Sequence, residues 1–191
     1  MERMTGRAME RVKHARDPQR KERIIDACLT SIVSHGVAGT SHRKIAALAD
    51  VPLGSMTYYF DGLEDLLGGA FSKFARERID EFEDVMSDAT TMAEFRANYI
   101  AYVSEVLLEP DRNLILTLEL YTIAARDEAF RTITWDWMSA TRRVLSRFVD
   151  PETAILLDGI IEGLSLHRAL GLDPGDPSLV ARAFDQIVGE H

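Results

Sequence analysis

The side chains best suited to chemistry fall in two neighbouring stretches. Ser55, Thr57, Tyr58 and Tyr59 lie in one run, and Ser41, Arg43 and Lys44 lie shortly before it. Hydroxyls and phenols exchange hydrogen bonds with base edges and phosphate oxygens, and cationic side chains neutralise phosphate. On a helix turning about 100° per residue, burying Met56 and Phe60 sends Gly54, Ser55, Thr57 and Tyr58 outward and leaves Tyr59 at the margin.

Other constellations point away from catalysis. The histidines, His14, His35, His42, His167 and His191, are scattered, and no pair stands at i, i+4 as metal ligands on one helix face would. No metal and no cofactor is expected. Gly163-Leu164-Ser165-Leu166-His167 resembles a nucleophile elbow but lacks its final glycine and falls in a helical pattern with no strand before it. Cys28 lies on an apolar stripe, where a core thiol is inert, and a single cysteine forms no internal disulfide. Catalytic residues are therefore expected to be absent.

The elements that position the polar run are helical. Ile25, Cys28, Leu29 and Ile32 repeat at i, i+3, i+4, i+7 and predict a first helix, opened by Asp17-Pro18 and closed by Gly36. A second, short helix opens at Thr40-Ser41, turns Ile45, Leu48 and Ala49 inward, and stops before Pro52. A third carries Met56, Tyr59 and Phe60 on its inner face, and a longer one runs from about Leu63 to Met86. Two short helices joined by a tight turn, with a longer helix before them, form the shape that offers its last helix to a DNA major groove. Further helices are predicted at 92–108, 111–126, 128–149, 151–171 and 177–189, punctuated by Pro110, Asp127, Asp150-Pro151, Gly171 to Gly175 and Asp176-Pro177. The fold class is all-α.

Charge separates the two ends of the 191-residue chain. The whole carries 22 Lys and Arg against 31 Asp and Glu, but residues 1–60 hold ten against six, so the head is basic and the remainder acidic. Only the head is suited to a polyanion. The hydrophobic share of 46% suits a packed core, and no apolar run has the length of a secretory signal or membrane span. A cytoplasmic protein that does not meet membranes is the expectation.

Three segments, Arg23-Ile24-Ile25-Asp26-Ala27-Cys28, His35-Gly36-Val37-Ala38-Gly39-Thr40-Ser41-His42-Arg43-Lys44-Ile45-Ala46, and Val51-Pro52-Leu53-Gly54-Ser55-Met56-Thr57-Tyr58-Tyr59-Phe60, with Leu66-Leu67 after them, resemble the DNA-binding domain of TetR-family transcriptional regulators. The likeness covers roughly residues 20–70. It implies a homodimer with an N-terminal three-helix, helix-turn-helix DNA-binding domain and a larger helical C-terminal domain that binds a small-molecule effector and dimerises. Such a protein is a repressor of a pseudo-palindromic operator, released by ligand. The corresponding domains are a basic arm at 1–16, the reader at 17–62 and the body at 63–191. The DNA-binding set is Ser41, Arg43, Lys44, Ser55, Thr57, Tyr58 and Tyr59.

The chain departs from that family's pattern at three positions. Asp50 stands where a turn glycine is common, and Asp tolerates left-handed backbone better than most residues. Leu53 and Leu63 stand where family members commonly carry phosphate-facing lysines, which shifts electrostatic affinity towards the arm, Arg43 and Lys44.

In the body, the helix at 128–149 is apolar on two faces, with Trp135 and Trp137 about 200° apart, so the two cannot line one cavity. Trp137 belongs to the longer stripe and is placed inside, where Tyr99, Tyr102, Leu118 and Tyr121 complete a mostly apolar effector pocket. Glu119 is ringed by leucines and isoleucines and needs a partner, either an arginine (Arg126, Arg142 or Arg143) or a cationic or hydrogen-bonding effector. The dimer face is read from Leu156, Leu157, Ile160, Ile161 and Leu164 with Val180, Ala183, Phe184, Ile187 and Val188. The competing reading is a helical ligand-binding protein or enzyme with an incidental αα-corner.

Overall fold

The computed structural model describes residues 18–108, 111–172 and 177–189. The arm at 1–16, the Asp17 cap, Pro110 and the Asp176 cap lie outside them. The described residues form nine α-helices and no strand. They divide into two compact units, one ending at Ala70 and the other beginning at Phe71.

In the first unit, α1 (Pro18–Gly39) breaks at Gly36, which adopts φ 68° and lets the chain turn without a clashing Cβ. The turn is fixed by Thr40, whose hydroxyl donates to Gly36 O at 2.8 Å; its oxygen then accepts from Ser31 Oγ at 3.1 Å. Ser41 caps α2 (His42–Leu48) through Lys44 N. Asp50 follows at φ 51°, the left-handed geometry anticipated where a glycine is common. A 3₁₀ turn (Leu53–Ser55) then leads into α3 (Met56–Tyr59), and α4 (Leu63–Ser87) begins in this unit and continues into the next.

Ile24, Cys28, Leu29, Ile32, Ile45, Met56 and Leu66 are fully buried. Burial pushes the Cys28 thiol up to about 12, consistent with an inert core residue. Leu48 does not pack inward as expected but is 50% exposed, whereas Ala46 is buried in its place. The rotation of α2 is set by its contacts with α1 and the 3₁₀ turn, and a seven-residue helix is too short for periodicity to fix it.

The second unit holds the rest of α4 with α5 (Met92–Leu108), α6 (Asp111–Ala124), α7 (Glu128–Leu145), α8 (Pro151–Ala169) and α9 (Pro177–Val188). Asp127 and Asp150 cap α7 and α8. Its core joins Phe82, Met86, Phe95, Tyr99, Val103, Leu145, Leu157, Val180 and Phe184. Arg96 binds Asp185 with two bonds of 2.6 and 2.7 Å, pinning α5 to α9. The helix predicted to reach residue 149 ends at Leu145. Arg147 N and Phe148 N bond back only three residues, and the tightened turn stacks Phe148 on Phe95 at 4.5 Å.

Candidate nucleic-acid interface and ligand cavity

Packing presents the polar run of the first unit to solvent. Met56 at 0% and Phe60 at 5% exposure anchor the short element; Gly54, Thr57 and Tyr58 are exposed, and Ser55 and Tyr59 half-buried. Tyr58 packs edge-on against Tyr59 with ring centroids 4.9 Å apart. Arg43 is exposed. Lys44 is exposed too, but its ammonium donates to Gly39 O at 2.7 Å, and half-buried Ser41 is occupied as a cap. Leu53 is 51% exposed, so an aliphatic side chain occupies the leading edge of the reader.

A partly open cavity of about 60 Å³ lies in the second unit. Arg78 reaches it from α4, Tyr102 from α5, Asn113, Leu114 and Thr117 from α6, Trp137 from α7, and Ile161, Glu162, Ser165 and Arg168 from α8. Trp137 is held edge-on to Phe74 at 5.7 Å and tilted against Tyr121 at 6.2 Å. Arg78 pairs with Glu81 one turn along α4.

Of the expected pocket residues, Tyr102 and Trp137 line this opening, and Trp135 lies outside it at 72% exposure. Tyr99 is instead core, with its hydroxyl donating to Leu157 O at 2.7 Å. Tyr121 packs behind Trp137, and half-buried Leu118 and Glu119 are absent from the lining. Arg142, one of the arginines considered for Glu119, donates to Asp158 at 2.7 Å.

The carboxylate that reaches the cavity is Glu162, which the sequence reading missed. The signal was the one that drew attention to Glu119: a lone acid among Ile160, Ile161 and Leu164. Burial raises Glu162 to about 7; the Tyr121 hydroxyl opposes the rise, buried Asp158 one turn away adds to it, and Arg142 offsets part. Asp158 is also raised by burial, against the pull of Arg142. Among the described residues no group of His, Cys, Asp and Glu is placed to hold a metal, and no helix is long and apolar enough to cross a membrane. Gly163 to His167 lie inside α8, where no elbow forms.

A three-helix reader with its outward element anchored by Met56 and Phe60, followed by an all-helical unit with an internal cavity, defines a helix-turn-helix transcriptional regulator. Solved structures agree. SCO7518 of Streptomyces coelicolor A3(2), assigned as a transcriptional regulator, is 44% identical over 91% of this chain and 100% of its own, with a TM-score of 0.84. SCO1917 of Streptomyces coelicolor A3, a member of the TetR family, is 31% identical over 91% and 100%, with a TM-score of 0.79. The chain belongs to the TetR family and is a sequence-specific DNA-binding regulator. The multidrug binding protein EbrR, in a complex with imidazole, is 31% identical over 92% and 98%, at a TM-score of 0.77; other EbrR structures hold ethidium, proflavin or malachite green. No protein-family model and no curated protein matches the chain.

Proposed function

We propose that this regulator is a cytoplasmic homodimeric repressor that binds a pseudo-palindromic operator and leaves it when a small molecule fills the α4–α8 cavity. The observation that carries this reading is the course of α4. Its first residues belong to the reader's unit, and its Arg78 lines the cavity of the other. A ligand that moves Arg78 therefore acts on the helix that continues from the reader. The EbrR complexes support a small-molecule effector for a relative of this chain. The reading assigns DNA contact to Ser41, Arg43, Lys44, Ser55, Thr57, Tyr58 and Tyr59, with domains at 1–16, 17–62 and 63–191, and it assigns no catalysis.

Part of the apolar set read as the dimer face is used inside the chain. Leu157, Val180 and Phe184 are buried in the chain's own core, and Ile161, Leu164, Ile187 and Val188 pack on it. On α8 and at its C-cap, exposed Leu156, Gly159, Leu166 and Leu170 and half-buried Gly163 follow a 3-4-3-4 spacing, with exposed Ile155 beside them. A Cβ at Gly159 or Gly163 would meet nothing of its own chain within 4 Å, so a second α8 has room to approach closely. Both α8 and α9 are apolar on more than one side, and only packing shows which side is spent internally.

A mobility-shift titration with DNA fragments flanking the protein's own gene tests the reading. A saturable, sequence-dependent shift abolished by effector is expected. Binding that does not distinguish fragments would refute operator recognition, and binding indifferent to saturating effector would refute release.

A further inference from the structure

We propose that Leu53 is a specificity-determining residue of the reader, packing on the C5-methyl group of a thymine in each half-site of the operator. This deepens the operator reading and rests on it.

The outward face is poor in donors where it begins. Pro52, Leu53 and Gly54 are consecutive and exposed at the entry to the element anchored by Met56 and Phe60, and none of the three has a polar side-chain atom. Thr57 is exposed as well, but its hydroxyl proton is directed to Gly54 O at 3.3 Å, so it offers a base its methyl group and the oxygen's remaining lone pair. The Lys44 ammonium is held to Gly39 O. The first side chain of the element to meet a duplex is therefore an isobutyl group.

An exposed leucine is ordinary on a protein surface, and its position is what gives this one meaning. Base edges in the major groove display hydrogen-bond donors and acceptors, and the thymine C5-methyl is the apolar substituent among them. A leucine pressed on guanine O6 and N7, or on an amino group of adenine or cytosine, strips water from a polar group and returns no hydrogen bond. Against a thymine methyl both partners leave water together. The neighbouring Gly54 allows the approach. A Cβ there would meet nothing of its own chain within 4 Å, so the missing side chain leaves open space beside Leu53 for the duplex. The methyl stands at the groove wall next to its own strand's phosphates, so a longer cation at position 53 reaches the backbone while leucine, without a donor, meets the base.

Uracil pairs as thymine does and keeps its acceptors, so exchanging the two removes the methyl alone. Full-length protein first selects its operator from random-sequence duplex DNA, and deoxyuridine then replaces thymine at one symmetry-related pair of positions at a time. At one such pair, uracil should weaken wild-type binding about tenfold in a mobility-shift titration, the effect of two methyl groups no longer buried. Leu53→Ala, a change at an exposed position, should melt as wild type does, bind the thymine operator about tenfold more weakly, and show no preference between thymine and uracil at that pair. Uracil tolerated at every position by wild type overturns the proposal. So does a uracil penalty of equal size in Leu53→Ala, which would assign the methyl to another residue. A selection that yields no shared sequence would refute operator recognition and this inference together, whereas a shared sequence indifferent to uracil refutes the methyl contact alone.

Discussion

Arg142 Nε lies 2.7 Å from Asp158 Oδ2, so one charged hydrogen bond joins α7 to α8 a single turn before Glu162. Asp158 is 3% exposed, and breaking this pair leaves a carboxylate stranded in the core. Arg142→Met should cost about 2 kcal/mol at pH 8, less than for a fully buried pair because the arginine is 39% exposed. The loss should shrink at pH 5, where the stranded carboxyl takes up a proton, and Asp158→Asn in the same background should recover part of it. Urea unfolding at the two pH values measures this. Equal stability of Arg142→Met and wild type at pH 8 would contradict it.

Glu162 gives stability a pH dependence of defined sign. The unfolded chain releases this proton near the ordinary value of 4.5, and the folded chain only near 7. Folded protein therefore holds more protons between those values, and the contribution of Glu162, fully present below 4.5, is lost as pH rises through 7. The loss is at most about 3 kcal/mol. Glu162→Gln should be more stable than wild type at pH 8 and nearly equal at pH 4.5. Parallel melting curves across that range would show that the carboxyl is not buried as described.

The reader's outward face offers rings, methyls and hydroxyls in place of cations. Tyr58→Ala should weaken specific binding about tenfold or more with the fold and dimer intact, since one good base-edge contact is worth roughly 1–3 kcal/mol. Leu53→Lys should restore a phosphate contact, steepening the slope of log affinity against log salt by about one. An unchanged slope would place residue 53 away from the backbone of the duplex.

Leu166 on α8 and Leu170 at its C-cap are exposed, the latter at 65%. The double substitution Leu166→Glu and Leu170→Glu should give a folded monomer by sedimentation, with operator affinity reduced at least a hundredfold because both half-sites can no longer be engaged together. A dimer that survives these charges would place the interface elsewhere.

The two tryptophans report separately on the cavity. Trp135→Phe keeps the cavity-lining indole, and its fluorescence should respond to an aromatic effector more than that of Trp137→Phe, which keeps the exposed Trp135. A larger response in Trp137→Phe would move the ligand to the other face of α7.

Where side-chain type dictates local backbone, the sequence alone was sufficient. The spacing of Ile25, Cys28, Leu29 and Ile32, the caps at Ser41, Asp127 and Asp150, and the left-handed tolerance of Asp50 act over a few residues, so the all-α class and the reader's turn were legible before any packing was known. The choice of Trp137 over Trp135 for the interior rested on the same kind of stripe, and the structure places them so. Tertiary structure decided what periodicity leaves degenerate. Leu48 exposed rather than buried, Tyr99 in the core rather than at the cavity, and Leu157 inward with Leu156 outward all depend on which neighbour an apolar side chain meets. Glu119 and Glu162 look alike in the sequence, each a carboxyl among aliphatics. Burial beside Asp158, with Arg142 already bonded to that neighbour, is a long-range arrangement of α7 and α8, and it sets Glu162 apart as the carboxyl that borders the cavity.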